Sequence, residues 1–151
     1  MRVLVIGAHP DDESIGMGGQ IKLHVNAGDE VEILLLTAGE LGCPGKDIEE
    51  TGIVRTHEAF EASKVLGSKV YKFLGQPDGG VTNNHEIMLE TAKAIADRKP
   101  DRIYVTNIND SHKDHQAAAE IVKECVEKSF IHPEVWMYEI WTPFQTYDVL
   151  V

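Results

Sequence analysis

Short apolar runs alternate with amphipathic segments along most of the 151-residue chain. The first run, within Arg2–Gly7, is continuously apolar between turn residues, which is typical of a strand buried on both faces of a parallel sheet. Further strands are predicted at Glu30–Thr37, Lys69–Leu74, Asp101–Thr106 and Glu134–Trp141. Apolar residues at helical spacing predict helices at Ser14–Asn26, Ile53–Leu66, Glu86–Arg98 and Asp114–Lys128.

This alternation of strand and helix predicts a single α/β domain over residues 1–151. We expect a Rossmann-like parallel sheet in the order 3-2-1-4-5, with helices on both faces. The expected packing residues of the first two helices are Ile15, Gly18, Gly19 and Leu23, and then Val54, Ala59, Ala62 and Leu66.

The last five residues, Tyr147–Val151, have the pattern of another strand and end on three apolar side chains. A free terminus is usually polar, and an apolar strand at a sheet edge needs cover. We therefore expect that the natural chain continues beyond this point. The alternative is that a partner, such as a second copy in a homo-oligomer, pairs with this strand.

Charge, hydropathy and cysteine content limit the classes of function that this chain can have. The net charge is −11, with 14 basic against 25 acidic residues, which argues against a nucleic-acid partner. Apolar stretches such as Ile33–Leu36 are too short to span a membrane, and no signal-peptide pattern follows Met1. Cys43 and Cys125 lack CxxC spacing and are interpreted as free thiols, so a cytoplasmic location is predicted.

Two clusters of histidine and carboxylate side chains follow the first and fourth predicted strands. They are the segments His9–Glu13 and His112–His115. In the expected strand order these strands are neighbours where the order reverses, so their carboxyl ends would bring both clusters into one crevice. Two histidines and one carboxylate can bind a catalytic zinc ion and leave a position open. A further carboxylate and imidazole could serve as general base and oxyanion donor.

Other interpretations of the same residues stay open at this point. Asp11, Asp12 and Asp114 could cap helices, and two histidines with a carboxylate also form ferrous oxygenase sites. Gly16–Gly19 invites a dinucleotide interpretation but lacks the GxGxxG spacing. A Rossmann-like binding module without hydrolysis therefore remains an alternative.

Several motifs, in order along nearly the whole chain, resemble one family. They are Ala8–Glu13, Thr37–Gly42, the helix from Arg55 to Gly67, Pro77–Gly79 and His112–His115. Together they are similar to the PIG-L/LmbE family of zinc-dependent N-acetylglucosaminide deacetylases. The resemblance implies that the substrate is a small N-acetylated amino sugar and that a zinc-bound water attacks its acetyl group.

The resemblance also implies a role for each site residue. His9, Asp12 and His115 would hold the Zn²⁺ ion. Asp11 would be the general base, His112 would stabilise the oxyanion, and Asp114 would orient and charge His112. Arg55 would contact the sugar.

Members of this family generally continue through further strands that wall the substrate pocket. The present chain lacks that part, so a metal-binding but inactive fragment is an alternative to an active deacetylase.

Overall fold

A computed structural model describes residues 1–146, and the strand expected at Tyr147–Val151 lies outside the described residues. The described chain forms five parallel strands in the order β3-β2-β1-β4-β5, which confirms the predicted fold class and strand order. The strands are β1 (Arg2–Gly7), β2 (Glu30–Thr37), β3 (Lys69–Gln76), β4 (Arg102–Thr106) and β5 (Glu134–Tyr138). The helices are α1 (Asp12–Asn26), α2 (Ile48–Leu66), α3 (His85–Arg98) and α4 (Lys113–Glu127).

The central strand β1 is buried from Val3 to Gly7 and pairs with a neighbour on each side. Val5, for example, lies opposite Ile33 of β2 and Tyr104 of β4. Alternate side chains of the strands enter two hydrophobic clusters, one on each face of the sheet. Helices α3 and α4 cover one cluster, and α1 and α2 cover the other. Strand burial on both faces is the reason that the apolar runs are continuous.

The packing face predicted for α1 was wrong. Ile15 and Leu23 are 63% and 54% exposed, whereas the residues that face the sheet include Met17, Ile21 and His24. The buried stripe starts at Asp12 and Glu13, because the first turn of this helix points two acidic side chains inward. A search for apolar periodicity does not count polar residues at buried positions. The buried face of α1 was therefore predicted on the wrong side of the helix.

Helix α2 begins five residues before the predicted start, at Ile48 rather than Ile53. The side chain of Asp47 caps it by accepting a hydrogen bond from the backbone N–H of Glu50 (2.9 Å). Gly52 is buried inside this helix. Of the residues expected to pack, Val54 is 48% exposed and Ala59 is buried.

The remaining boundaries differ by a few residues, as the ends of elements commonly do. β3 extends to Gln76, and β5 ends at Tyr138 instead of Trp141. Among residues 1–146, no helix combines the length and the apolar character needed to cross a membrane. The pairing of β1 with β4 runs to Ile6 and Val105, so the loops after these strands leave the sheet side by side.

Candidate metal centre

The loop between β1 and α1 is folded back by Asp12. Oxygen Oδ2 of this carboxylate accepts hydrogen bonds from the backbone N–H groups of Ala8 (2.8 Å) and His9 (2.9 Å). The other oxygen, Oδ1, lies 3.3 Å from Nε2 of His115. Burial opposes ionisation of Asp12, but its close contacts with the His115 and His9 rings outweigh burial and lower its pKa well below the usual value. Asp12 is therefore a buried carboxylate that stays charged.

His115, in the first turns of α4, is completely buried. Its Nδ1 lies 3.2 Å from Oδ1 of Asp110, and its Nε2 faces Asp12, yet neither nitrogen has a well-aligned hydrogen bond to a described residue. A buried polar atom without a partner is costly, so such atoms normally have an additional ligand. This observation fits a histidine whose ring nitrogen binds a metal ion.

The three imidazoles of the predicted site lie close together. The ring centroid of His9 is 4.8 Å from that of His112 and 5.4 Å from that of His115. Each ring offers one nitrogen, and these three nitrogens lie within 4.8 Å of one another. Asp12 lies beside two of these rings, since its carboxylate is 3.7 Å from Nδ1 of His9 as well as 3.3 Å from His115. The donor set thus suits a divalent metal ion.

The two ring nitrogens of His9 have different surroundings. Nδ1 faces Asp12, and Nε2 contacts two carboxylates. Nε2 lies 3.0 Å from Oδ1 of Asp78 and 3.1 Å from Oδ2 of Asp114. Burial of the ring opposes protonation, but the neighbouring carboxylates outweigh burial and raise the pKa of His9 to about 9. Metal-binding histidines commonly donate their remote N–H to a carboxylate in this way. The arrangement leaves Nδ1 of His9 as the nitrogen that faces Asp12.

His112 caps α4, and its Nδ1 accepts a hydrogen bond from the backbone N–H of Asp114 (3.2 Å). The neutral ring must then carry its proton on Nε2, where it can act as a donor. The carboxylate of Asp114 faces elsewhere: it accepts from the backbone N–H groups of Gly79 (2.7 Å) and Val81 (3.1 Å) and contacts His9. The expected contact between this carboxylate and His112 is therefore replaced by a backbone contact.

Asp11 precedes α1 and is half exposed, with its backbone in the left-handed region at φ 106°. Partial burial raises the pKa of its carboxyl above the usual value, although the Arg55 guanidinium opposes this shift. Nη2 of Arg55 lies 3.0 Å from Oδ2 of Asp11. The carboxylate of Asp11 is still half exposed to solvent, so it can reach a water molecule, as a general base requires.

The sequence did not assign two carboxylates that the structure places at the centre. Asp78 was named only as part of the Pro77–Gly79 motif, and Asp110 was given no role. Both lie in loops that leave the carboxyl ends of strands, which is the one signal that could have singled them out. Their contacts with His9 and His115 depend on the packing of three separate loops.

The structure is thus a parallel α/β domain with a cluster of histidine and aspartate side chains, able to hold a metal ion, at the switch point of its sheet. Comparison with protein families is more specific: residues 4–126 match the model described as "PIG-L: GlcNAc-PI de-N-acetylase". The chain belongs to this family, which confirms the resemblance seen in the sequence.

Among curated relatives, the chain is 38% identical over 102 residues to a 1D-myo-inositol 2-acetamido-2-deoxy-alpha-D-glucopyranoside deacetylase from Kineococcus radiotolerans, covering 63% of this chain and 28% of the relative. It is 30% identical over 130 residues to a diacetylchitobiose deacetylase from Thermococcus kodakarensis, covering 83% and 49%. The chain thus spans half or less of the length of these two relatives.

A solved structure, N,N'-diacetylchitobiose deacetylase from Pyrococcus horikoshii, superimposes with a TM-score of 0.81 at 29% identity. The match covers 87% of this chain and 52% of that one. The fold is thus shared with a deacetylase, and this chain covers about half of that protein's length.

Proposed function

We propose that this chain carries the metal centre of a hydrolase that removes the N-acetyl group from a GlcNAc-type substrate, giving acetate and a free amine. The observation that carries the proposal is the buried pair Asp12 and His115 beside His9, in which neither ring nitrogen of His115 makes a well-aligned hydrogen bond within residues 1–146. Membership of the PIG-L family and the names of the relatives support the same chemistry.

The residues that would hold the ion are His9, Asp12 and His115. We propose Zn²⁺, because two imidazoles and one carboxylate with an open position are a common catalytic zinc set. A bound ion would polarise the acetyl carbonyl and lower the pKa of a water molecule.

Side chains of this chain would then transfer the protons of the reaction. Asp11, half exposed and with a raised pKa, would take a proton from the attacking water. Nε2–H of His112 would donate to the developing oxyanion, since Nδ1 of that ring is occupied by the backbone of α4. The proton on Asp11 or His112 would pass to the departing amine nitrogen as the carbon–nitrogen bond breaks. The oxygen of the water thus ends in acetate, one of its protons ends on the amine nitrogen, and the other is released to solvent.

A cavity of about 510 Å³ lies between the loop after β2, the start of α2 and the end of β3, and its lining does not include His9, Asp12 or His115. Its lining includes the carboxylate of Glu40 and the amide of Gln76 beside the apolar side chains of Ile48 and Ile53. Oε1 of Glu40 accepts a hydrogen bond from the backbone N–H of Asp78 (2.9 Å), which links the cavity wall to the contact of Asp78 with His9. Its size and mixed lining suit a small sugar derivative.

A second candidate is metal binding without turnover. It is favoured by one observation, the coverage of 28% and 49% of the curated relatives. Under this proposal the ion binds stoichiometrically, but the wall of the substrate pocket is incomplete and no acetate is released.

The test combines metal content with acetate release from N,N'-diacetylchitobiose. We expect about one zinc per chain, and acetate release that falls at least about 100-fold in Asp11→Asn and His112→Asn while the metal stays bound. Asn is chosen at position 11 because it tolerates a positive φ. Asp97→Asn, an exposed carboxylate of α3, is the matched control. Metal without acetate release would favour the second candidate, and no metal would reject both.

A further inference from the structure

The loop between β4 and α4, residues 107–112, is fastened to the segment that follows β5. Two of its side chains each use one polar atom inside the loop. Oδ1 of Asn107 accepts a hydrogen bond from the backbone N–H of Asn109 (2.9 Å), and Oδ1 of Asp110 accepts one from that of His112 (2.9 Å). Such local contacts are typical of Asn and Asp in turns. The second polar atom of each side chain is left to bind another part of the chain.

Both of these second atoms bind Thr142. Nδ2 of Asn107 donates to the carbonyl oxygen of Thr142 (3.1 Å), and Oδ2 of Asp110 accepts from its backbone N–H (3.1 Å). The hydroxyl oxygen of Thr142 accepts from the backbone N–H of Ser111 (2.8 Å). Because Pro143 follows and disfavours a helical backbone at Thr142, these backbone groups need partners elsewhere in the chain. Three polar groups of one threonine thus bind three residues of one loop.

The same loop carries two groups of the candidate metal centre. His112, its last residue, is the proposed oxyanion donor, and its backbone N–H is held by Asp110. Asp110 also lies 3.2 Å from Nδ1 of His115, and both of these side chains are buried. The position of the loop therefore sets the position of His112 and of the acceptor behind His115. Through this loop, Thr142 can influence the centre from outside it.

We propose that Thr142 is a positioning residue, which holds the 107–112 loop so that His112 and Asp110 keep their places at the centre. The inference rests on the proposed function for its kinetic consequence but not for its structural one. Ser111 is exposed, so a water molecule can replace the threonine hydroxyl as acceptor for its N–H, and the chain should fold without that hydroxyl. Such a water satisfies the donor but does not fix the loop.

The kinetic test compares Thr142→Val, which removes the hydroxyl and keeps the shape of the side chain, with Thr142→Ser, which keeps the hydroxyl. For acetate release from N,N'-diacetylchitobiose we expect kcat to fall about 10-fold in Thr142→Val, with KM changed less than about 3-fold, because a misplaced oxyanion donor slows chemistry without weakening binding. Thr142→Ser should restore kcat. Thr146→Val, at an exposed threonine of the same segment, is the matched control and should equal wild type. A raised KM with unchanged kcat, or a serine variant as slow as the valine variant, would overturn the proposal.

The structural test needs no activity. In the metal-free protein, hydrogen exchange at the Ser111 amide, followed by NMR, should quicken at least about 10-fold in Thr142→Val, because local opening of the loop exposes it. It should stay unchanged in Thr142→Ser and in Thr146→Val. Wild-type exchange in Thr142→Val, with the fold intact by circular dichroism, would overturn the proposal. If the wild-type chain releases no acetate, the proposed function fails, and this measurement still decides whether Thr142 holds the loop.

Discussion

Oδ1 of Asp110 lies 3.2 Å from Nδ1 of His115, and both side chains are buried. Burial opposes the charge on Asp110, but hydrogen bonds from the backbone N–H groups of His112, Trp141 and Thr142 outweigh it and lower the pKa of this carboxyl. A fixed, charged acceptor at this place favours the proton on Nδ1 of His115. Nε2 of His115, which faces Asp12, is then unprotonated, and a metal ion requires such a nitrogen as its ligand.

We predict that Asp110→Asn weakens metal binding. The amide keeps the size of the side chain but loses the charge that sets the His115 tautomer, and such outer contacts are worth about 10- to 100-fold in metal affinity. Competition with a chromogenic chelator measures the change. Asp97→Asn should bind zinc as tightly as wild type, and an equal loss in that control would point to a general charge effect instead.

Asp12 is predicted to stabilise the protein even without metal. Asp12→Ala would leave the N–H groups of Ala8 and His9 without their acceptor, which costs about 1–3 kcal/mol for each buried group. Asp12→Asn retains an oxygen that can accept from them, so its loss of stability should be smaller. Urea unfolding of the metal-free variants compares the two. Equal stability of Asp12→Ala and wild type would mean that this carboxylate serves only the metal.

The two thiols are predicted to react at very different rates. Cys43 is exposed, whereas burial raises the pKa of the Cys125 thiol to about 11. The thiolate is the reactive form, so at pH 8 a maleimide should label Cys43 quickly and Cys125 slowly, and labelling of Cys125 should accelerate as the pH rises towards 11. Mass spectrometry of the labelled peptides follows each site.

The same shift makes a prediction about stability at high pH. Because the folded-state pKa of Cys125 lies above the value of 9.0 for an unperturbed thiol, deprotonation favours the unfolded chain. The stabilising effect is complete below pH 9 and is lost as the pH rises through 11. Urea unfolding from pH 8 to pH 11 should thus show a steeper decline for wild type than for Cys125→Ala. Parallel curves would contradict the shift.

Much of the fold could be read from local pattern. The strands were found because burial on both faces of a parallel sheet demands continuous apolar runs, such as Val3–Ile6 and Ile33–Leu36. The start of α2 and the buried face of α1 were missed for one reason. In both places polar side chains, the cap Asp47 and the buried acids Asp12 and Glu13, set the geometry, and apolar periodicity does not record them.

The sequence by itself determined the class of fold, the family and the two clusters that the strand order brings together. The tertiary structure decided which atoms face one another. It placed Asp110 behind His115 and Asp78 behind His9, turned the carboxylate of Asp114 toward Gly79, and seated Arg55 against Asp11. The positions of the strands follow from local hydrophobic pattern, and their order was expected from the connection rules of parallel sheets. These contacts instead join loops far apart in the chain, and their geometry exists only once the loops have packed together.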